Sequence, residues 1–98
     1  MINGDVTEFI DTLYTGQDLE VMFRSRHLFI QGYYENLGTP EQIAHMEMFD
    51  YNHMKDLDDY IWVKEGKSLS ELATEFLQAK VWDGMAFDEA EREIEWIG

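Results

Sequence analysis

Carboxylates dominate the chemistry available to this chain. Of its 98 residues, 21 are Asp or Glu and 7 are Lys or Arg, a formal charge of -14 at pH 7. Two stretches concentrate them: Asp56, Asp58, Asp59 and Glu65, and then Asp88, Glu89, Glu91, Glu93 and Glu95. Carboxylates so placed could hold a cation, or stand where a partner expects phosphates. Asp56-Leu57-Asp58-Asp59 opens like a calcium loop, but its sixth position is Ile61 rather than Gly and its twelfth is Lys67 rather than Glu. Calcium is therefore not expected. His27, Asp50 and His53 could converge as three zinc ligands if the ends of two antiparallel strands meet. The same residues also fit surface histidines beside acids, and no cofactor is expected.

Catalytic constellations are sparse. The chain has no cysteine, which removes disulfides, thiolate ligands and a thiol nucleophile. It has no Gly-rich phosphate loop, GxSxG or HExxH. Ser25, His27 and Asp50 can be written as a triad, but nothing in their spacing sets a base beside an activated hydroxyl. The expectation is a protein that acts by contact rather than as an enzyme.

The charge also limits the partners. Phosphate contacts require Lys or Arg, so direct nucleic-acid binding is not expected, nor is an anionic membrane surface. Met1-Ile2-Asn3-Gly4-Asp5 carries no basic region or apolar core, and runs such as Ile61-Trp62-Val63 are far too short to span a bilayer. A cytoplasmic protein is expected. With 45% hydrophobic and 14% aromatic residues, the chain is too apolar for a disordered acidic tail. A composition even from end to end predicts a single domain over 1–98.

The elements that must position these groups follow from periodicity. Val6, Phe9, Ile10, Leu13 and Tyr14 share one helical face, with Asp5 as N-cap and Gly16 after the last turn. Leu19, Val21 and Phe23 alternate with polar residues, and His27 to Tyr34 is rich in β-formers; together they predict a hairpin turning at Arg24 to Arg26. That turn lacks Gly or Asn, which leaves its register open. Residues 42–51 predict a third strand, with Ala44, Met46 and Met48 on one side, against a helix as competitor. Residues 59–64 predict a fourth. Ser68 and Glu71 form a capping-box pair ahead of a stripe of Leu69, Leu72, Ala73, Phe76 and Leu77. Trp82-Asp83-Gly84 separates this helix from a last one expected over Phe87 to Ile97, with Phe87, Ala90, Ile94 and Ile97 inward. The expected fold is α+β: a four-stranded antiparallel meander packed with an N-terminal helix and two C-terminal helices.

Phe9-Ile10-Asp11-Thr12-Leu13-Tyr14, Phe29-Ile30-Gln31-Gly32-Tyr33-Tyr34, Val81-Trp82-Asp83-Gly84 and Glu93-Ile94-Glu95-Trp96-Ile97, in that order, resemble segments of a group of small acidic Firmicutes and phage proteins. The group commonly has Asn-Gly at the first hairpin turn, where this chain has Arg24-Ser25. The resemblance implies no activity. In size and charge alone the chain is also similar to phage anti-CRISPR inhibitors.

On the expected last helix, Glu91 and Glu95 would lie four residues apart and repel, and Glu93 and Glu95 would oppose the helix dipole. Trp96 would stand off the inward stripe among those carboxylates, either as an interaction hot spot or covering the rim of the core or a homodimer contact. These features predict an acidic, phosphate-mimicking inhibitor of a basic nucleic-acid-binding protein. A homo-oligomer of structural or regulatory role, or an immunity or antitoxin partner of a toxin, is the alternative. The carboxylates also suit a face that only keeps the chain soluble.

Overall fold

The computed structural model describes residues 1–51 and 60–98. Helix α1 (Val6–Thr15) starts where the Asp5 carboxylate accepts from the backbone N–H groups of Thr7 and Glu8, at 2.8 and 3.1 Å. It ends at Gly16, whose φ of 76° is the left-handed conformation that releases a chain from a helix. Phe9 and Leu13 are buried, as their spacing predicts.

Strands β1 (Leu19–Phe23) and β2 (Arg26–Glu35) pair antiparallel with Phe23 opposite Arg26, so only Arg24 and Ser25 form the turn. Both have positive φ, 48° and 66°. That is the two-residue turn whose twist suits a hairpin, built here without the Asn or Gly that tolerates it best. β3 (Ile43–Asp50) lies beside β2, and β4 (Tyr60–Gly66) beside β3. The segment at 42–51 is a strand rather than a helix, with Ala44, Met46 and Met48 all buried. Helix α2 (Leu69–Gln78) is capped by Ser68, which accepts from the Glu71 N–H, and buries Leu69, Leu72, Ala73 and Phe76.

The last segment differs from expectation. α3 covers only Phe87–Ala90, a 3-10 turn follows at Glu91–Glu93, and Ile94–Trp96 is a fifth strand, β5. β5 pairs antiparallel with β1, which places Ile94 opposite Phe23 and Trp96 opposite Val21. Two causes act together. Glu93-Ile94-Glu95-Trp96 alternates with period two, and the outer edge of β1 offers backbone partners that a helix would leave unused. Ile97, expected inward, is 50% exposed.

The class is α+β as expected, with five strands rather than four, in the order β4-β3-β2-β1-β5. The helices lie on one face. Phe9, Leu13, Leu72 and Phe76 meet Leu19, Val21, Ile30, Met46 and Met48 there in one buried cluster. Trp82 is fully buried in it, edge-on to Phe23 at 5.3 Å and near Phe76 at 6.2 Å. It is placed by a second two-residue turn, Asp83-Gly84, closed by hydrogen bonds between Trp82 and Met85. No described helix is long and apolar enough to cross a membrane.

Candidate functional site

The carboxylates of the C-terminal segment are largely engaged within the chain. Glu91 pairs with the amino terminus of Met1. Glu93 receives both Nε and Nη2 of Arg24 at 3.0 Å, a two-pronged contact that holds its carboxyl below the usual range and raises Arg24. Glu95 accepts from the Asn3 side chain at 2.7 Å, and Glu89 from the Ala86 N–H at 3.3 Å. Asp88 is exposed. Because 91–96 is a 3-10 turn followed by a strand rather than an α-helix, the expected i, i+4 repulsion between Glu91 and Glu95 and the opposition of Glu93 and Glu95 to an α-helix dipole do not arise. Trp96 is not an exposed hot spot. It is half-buried, edge-on to Phe9 at 5.5 Å with Gly4 against its ring, and so covers the rim of the core.

His27 and Asp50 do not share a face. Asp50 stands opposite Leu28 and shares its face, towards the helices, where it lies 4.0 Å from Arg26. His27, the next residue along β2, points to the other face and stacks on Tyr51 at 4.1 Å. His53 lies outside the described residues, as do Asp56, Asp58 and Asp59. Among the described residues no group of His, Asp and Glu is arranged to hold a metal.

The other face of the sheet is different. No described helix covers it, and strand alternation sends a distinct set of side chains there. Phe29, Phe49 and Tyr60 form a row across β2, β3 and β4, with ring centres 5.4 Å apart at each step. The next row is Gln31, Glu47 and Val63, and the one after is Tyr33, His45 and Glu65. Glu20 and Glu95 lie on this face at the β1 and β5 side, and Glu35 at the end of β2. Two residues of the described strands are Lys or Arg. Arg26 and Lys64 stand opposite Phe23 and Met46, on the helix side, where Lys64 pairs with Glu75 of α2. The open face therefore carries five glutamates and, among the described residues, no Lys or Arg.

No family model, curated protein or solved structure matches the chain. The chemistry of the face must be read from its own residues.

Its centre is unusual in burial. Glu47 is 7% exposed and His45 8%, and they are the buried polar side chains among the described residues. Glu47 accepts from the Gln31 amide at 2.9 Å and from the Tyr33 hydroxyl at 3.1 Å, both neutral donors. Burial, the hydrogen bond to Glu47 and the negative charges of Glu47 and Glu35 push Tyr33 up to about 12. Burial and the charge of Glu47 also raise Tyr60. Both phenols thus stay protonated at neutral pH and available as donors. His45 lies between two carboxylates, with Nε2 2.7 Å from Glu35 in no aligned hydrogen bond and Nδ1 3.6 Å from Glu65. No pocket opens among the described residues.

Of the expected site residues, the sheet brings Glu65 and Glu95 to this face. Glu35 and Glu47 are not among the expected site residues. The signal was present in the alternation of β2 and β3, where His27, Phe29, Gln31, Tyr33 and Glu35 oppose the buried Leu28 and Ile30.

Proposed function

We propose that this chain is a non-catalytic acidic binding protein that occupies a basic, nucleic-acid-binding surface of another protein, its carboxylates taking the places of phosphates. The supporting observation is the sheet face that no described helix covers, with an aromatic row, exposed glutamates at its margin and no described Lys or Arg. Aromatic anchors inside a charged rim are the composition of protein interfaces. Single-sign charge speeds encounter with an opposite surface and excludes like-charged ones. A face without a pocket among the described residues also suits a macromolecule better than a small substrate, which is usually enclosed. A phage inhibitor of the anti-CRISPR type, working in the cytoplasm, is the concrete form of this reading.

The test is competition. A panel of purified basic nucleic-acid-binding proteins, an RNA-guided nuclease among them, is titrated with the chain while labelled nucleic acid reports binding by anisotropy. The expected result is stoichiometric loss of binding for a member of the panel, weakening as salt rises. Charge reversal at Glu35 and Glu65 to Lys removes the effect. Reversal at Glu91, Glu93 and Glu95 instead unfolds or loosens the chain, because those groups pair internally. No competition by any member at low salt, or inhibition that survives both sets of reversals, would overturn the reading.

A further inference from the structure

One end of the open face has a more specific character than acidity. Tyr33 and Val63 are 40% and 49% exposed, and between them lie the two buried polar residues, His45 and Glu47. The Tyr33 ring runs parallel to the His45 ring, 13° apart in plane with centres 4.7 Å apart. Glu35 and Glu65 stand at either side of that imidazole, and their side chains are 54% and 65% exposed. Glu47 is a buried carboxyl group that accepts from the neutral Gln31 and Tyr33 side chains and that no described Lys or Arg approaches. A buried carboxyl of this kind is costly to ionise unless a counter-charge reaches it.

A guanidinium fits this arrangement better than an ammonium. It is planar and can lie along an aromatic ring, and its fork of donors matches carboxylates to its sides. Lysine brings a compact charge that keeps more of its hydration. Resting on the proposed binding of a basic protein surface, we infer that Tyr33, Glu35 and Glu65 form an arginine-binding site, in which a partner's arginine sits over the buried His45, against the exposed part of Tyr33, and reaches the two exposed carboxylates. Arginine then supplies the positive charge that the Glu47 region lacks. A second copy of this chain is the wrong occupant, since its own face would bring further glutamates.

The experiment uses the full chain with octa-arginine and octa-lysine peptides as probes, at low salt, by calorimetry and by amide chemical-shift mapping. Octa-arginine is expected to bind roughly threefold to tenfold tighter than octa-lysine, the range of a partly exposed cation–π contact with a forked carboxylate. Shifts should centre on Tyr33, His45 and Glu65. The double variant Glu35→Gln, Glu65→Gln weakens octa-arginine about tenfold, while Asp88→Asn with Glu89→Gln does not. Tyr33→Ala removes the preference for arginine, and Tyr33→Phe, which keeps the ring, retains it; circular dichroism verifies that each variant is folded. Equal affinity for the two peptides would overturn the site. So would shifts centred on 88–95, or self-association that strengthens in the Glu35→Gln, Glu65→Gln variant. Arginine binding at Tyr33 with no nucleic-acid-binding protein inhibited would keep the site and remove the broader function. Inhibition insensitive to Glu35 and Glu65 would do the reverse.

Discussion

Replacing Ser25 by glycine should stabilise the chain. Ser25 has a φ of 66° and follows Arg24 at 48°, so the hairpin turn sets two L-residues side by side in the left-handed region. That conformation costs an L-residue about 1–2 kcal/mol, and glycine removes the cost. The greater freedom of glycine in the unfolded chain returns about 0.4–1 kcal/mol. Because Ser25 is exposed, no packing is lost. The net gain is then about 0.5–1 kcal/mol, which for a domain of this size raises Tm by about 2–8 °C. Thermal unfolding followed by circular dichroism measures it directly. Arg24→Asn is the informative companion. It relieves the same strain but removes the fork to Glu93, the approach to Asp83 at 3.6 Å and the guanidinium over Phe23 at 5.2 Å, so it should gain less than Ser25→Gly. A Tm unchanged or lowered by Ser25→Gly would refute the strain argument. Equal gains from both variants would show that the Arg24 contacts contribute nothing.

Three further outcomes are expected. In an alkaline titration of tyrosine absorbance, Tyr33→Phe should remove a step near pH 12, and Glu47→Gln should move that step down, because the charge opposing tyrosinate is gone. The proton is held more tightly in the folded state, so Tyr33's contribution to stability is complete below pH 10 and is lost as pH rises towards 12. Glu93 has the opposite sign. Its carboxyl is depressed by Arg24, so its contribution is present above pH 4.5 and lost as pH falls, and Glu93→Gln should flatten the acid limb of a stability–pH curve. Gly16→Ala should destabilise by about 2–4 kcal/mol in urea unfolding, since a Cβ there meets Leu69 and stands 3.1 Å from the Gly32 carbonyl oxygen at a φ of 76°.

Elements whose information is local could be read from the chain. Asp5 with Gly16, and Ser68 with its apolar stripe, mark α1 and α2 because caps and period act within a few residues. Ala44, Met46 and Met48 revealed the inner side of β3 for the same reason. The last segment could not be read this way. Phe87, Ala90 and Ile94 satisfy a helical stripe as well as Ile94 and Trp96 satisfy a strand, and what selects the strand is the open edge of β1, some seventy residues earlier in the chain. The Arg24-Ser25 turn is similar. Its residues argue against a tight hairpin, and the Glu93 fork that ties Arg24 there comes from the far end of the sequence. The candidate site was legible only in part. Alternation identifies the outward set on β2 and β3, but the burial of His45 and Glu47 depends on which residues flank them across three strands, and so on register.

That dependence changes where the excess charge can act. A carboxylate already paired within its own chain must break that pair before it serves a partner, so Glu91, Glu93 and Glu95 are poor phosphate mimics despite their density in the sequence. Among the described residues no Lys or Arg pairs with Glu35 or Glu65, since Arg26 and Lys64 lie on the helix side of the sheet. Among the described residues their close partner is the His45 side chain, which lies between them. Two copies of the chain meeting through this face would set Glu35, Glu47 and Glu65 against the same groups, and the aromatic centre would have to overcome that repulsion. A partner carrying arginine meets the same aromatic centre with attraction on every side. The geometry that makes self-association costly is thus the geometry that favours a basic partner, and both follow from one arrangement of charge about β3.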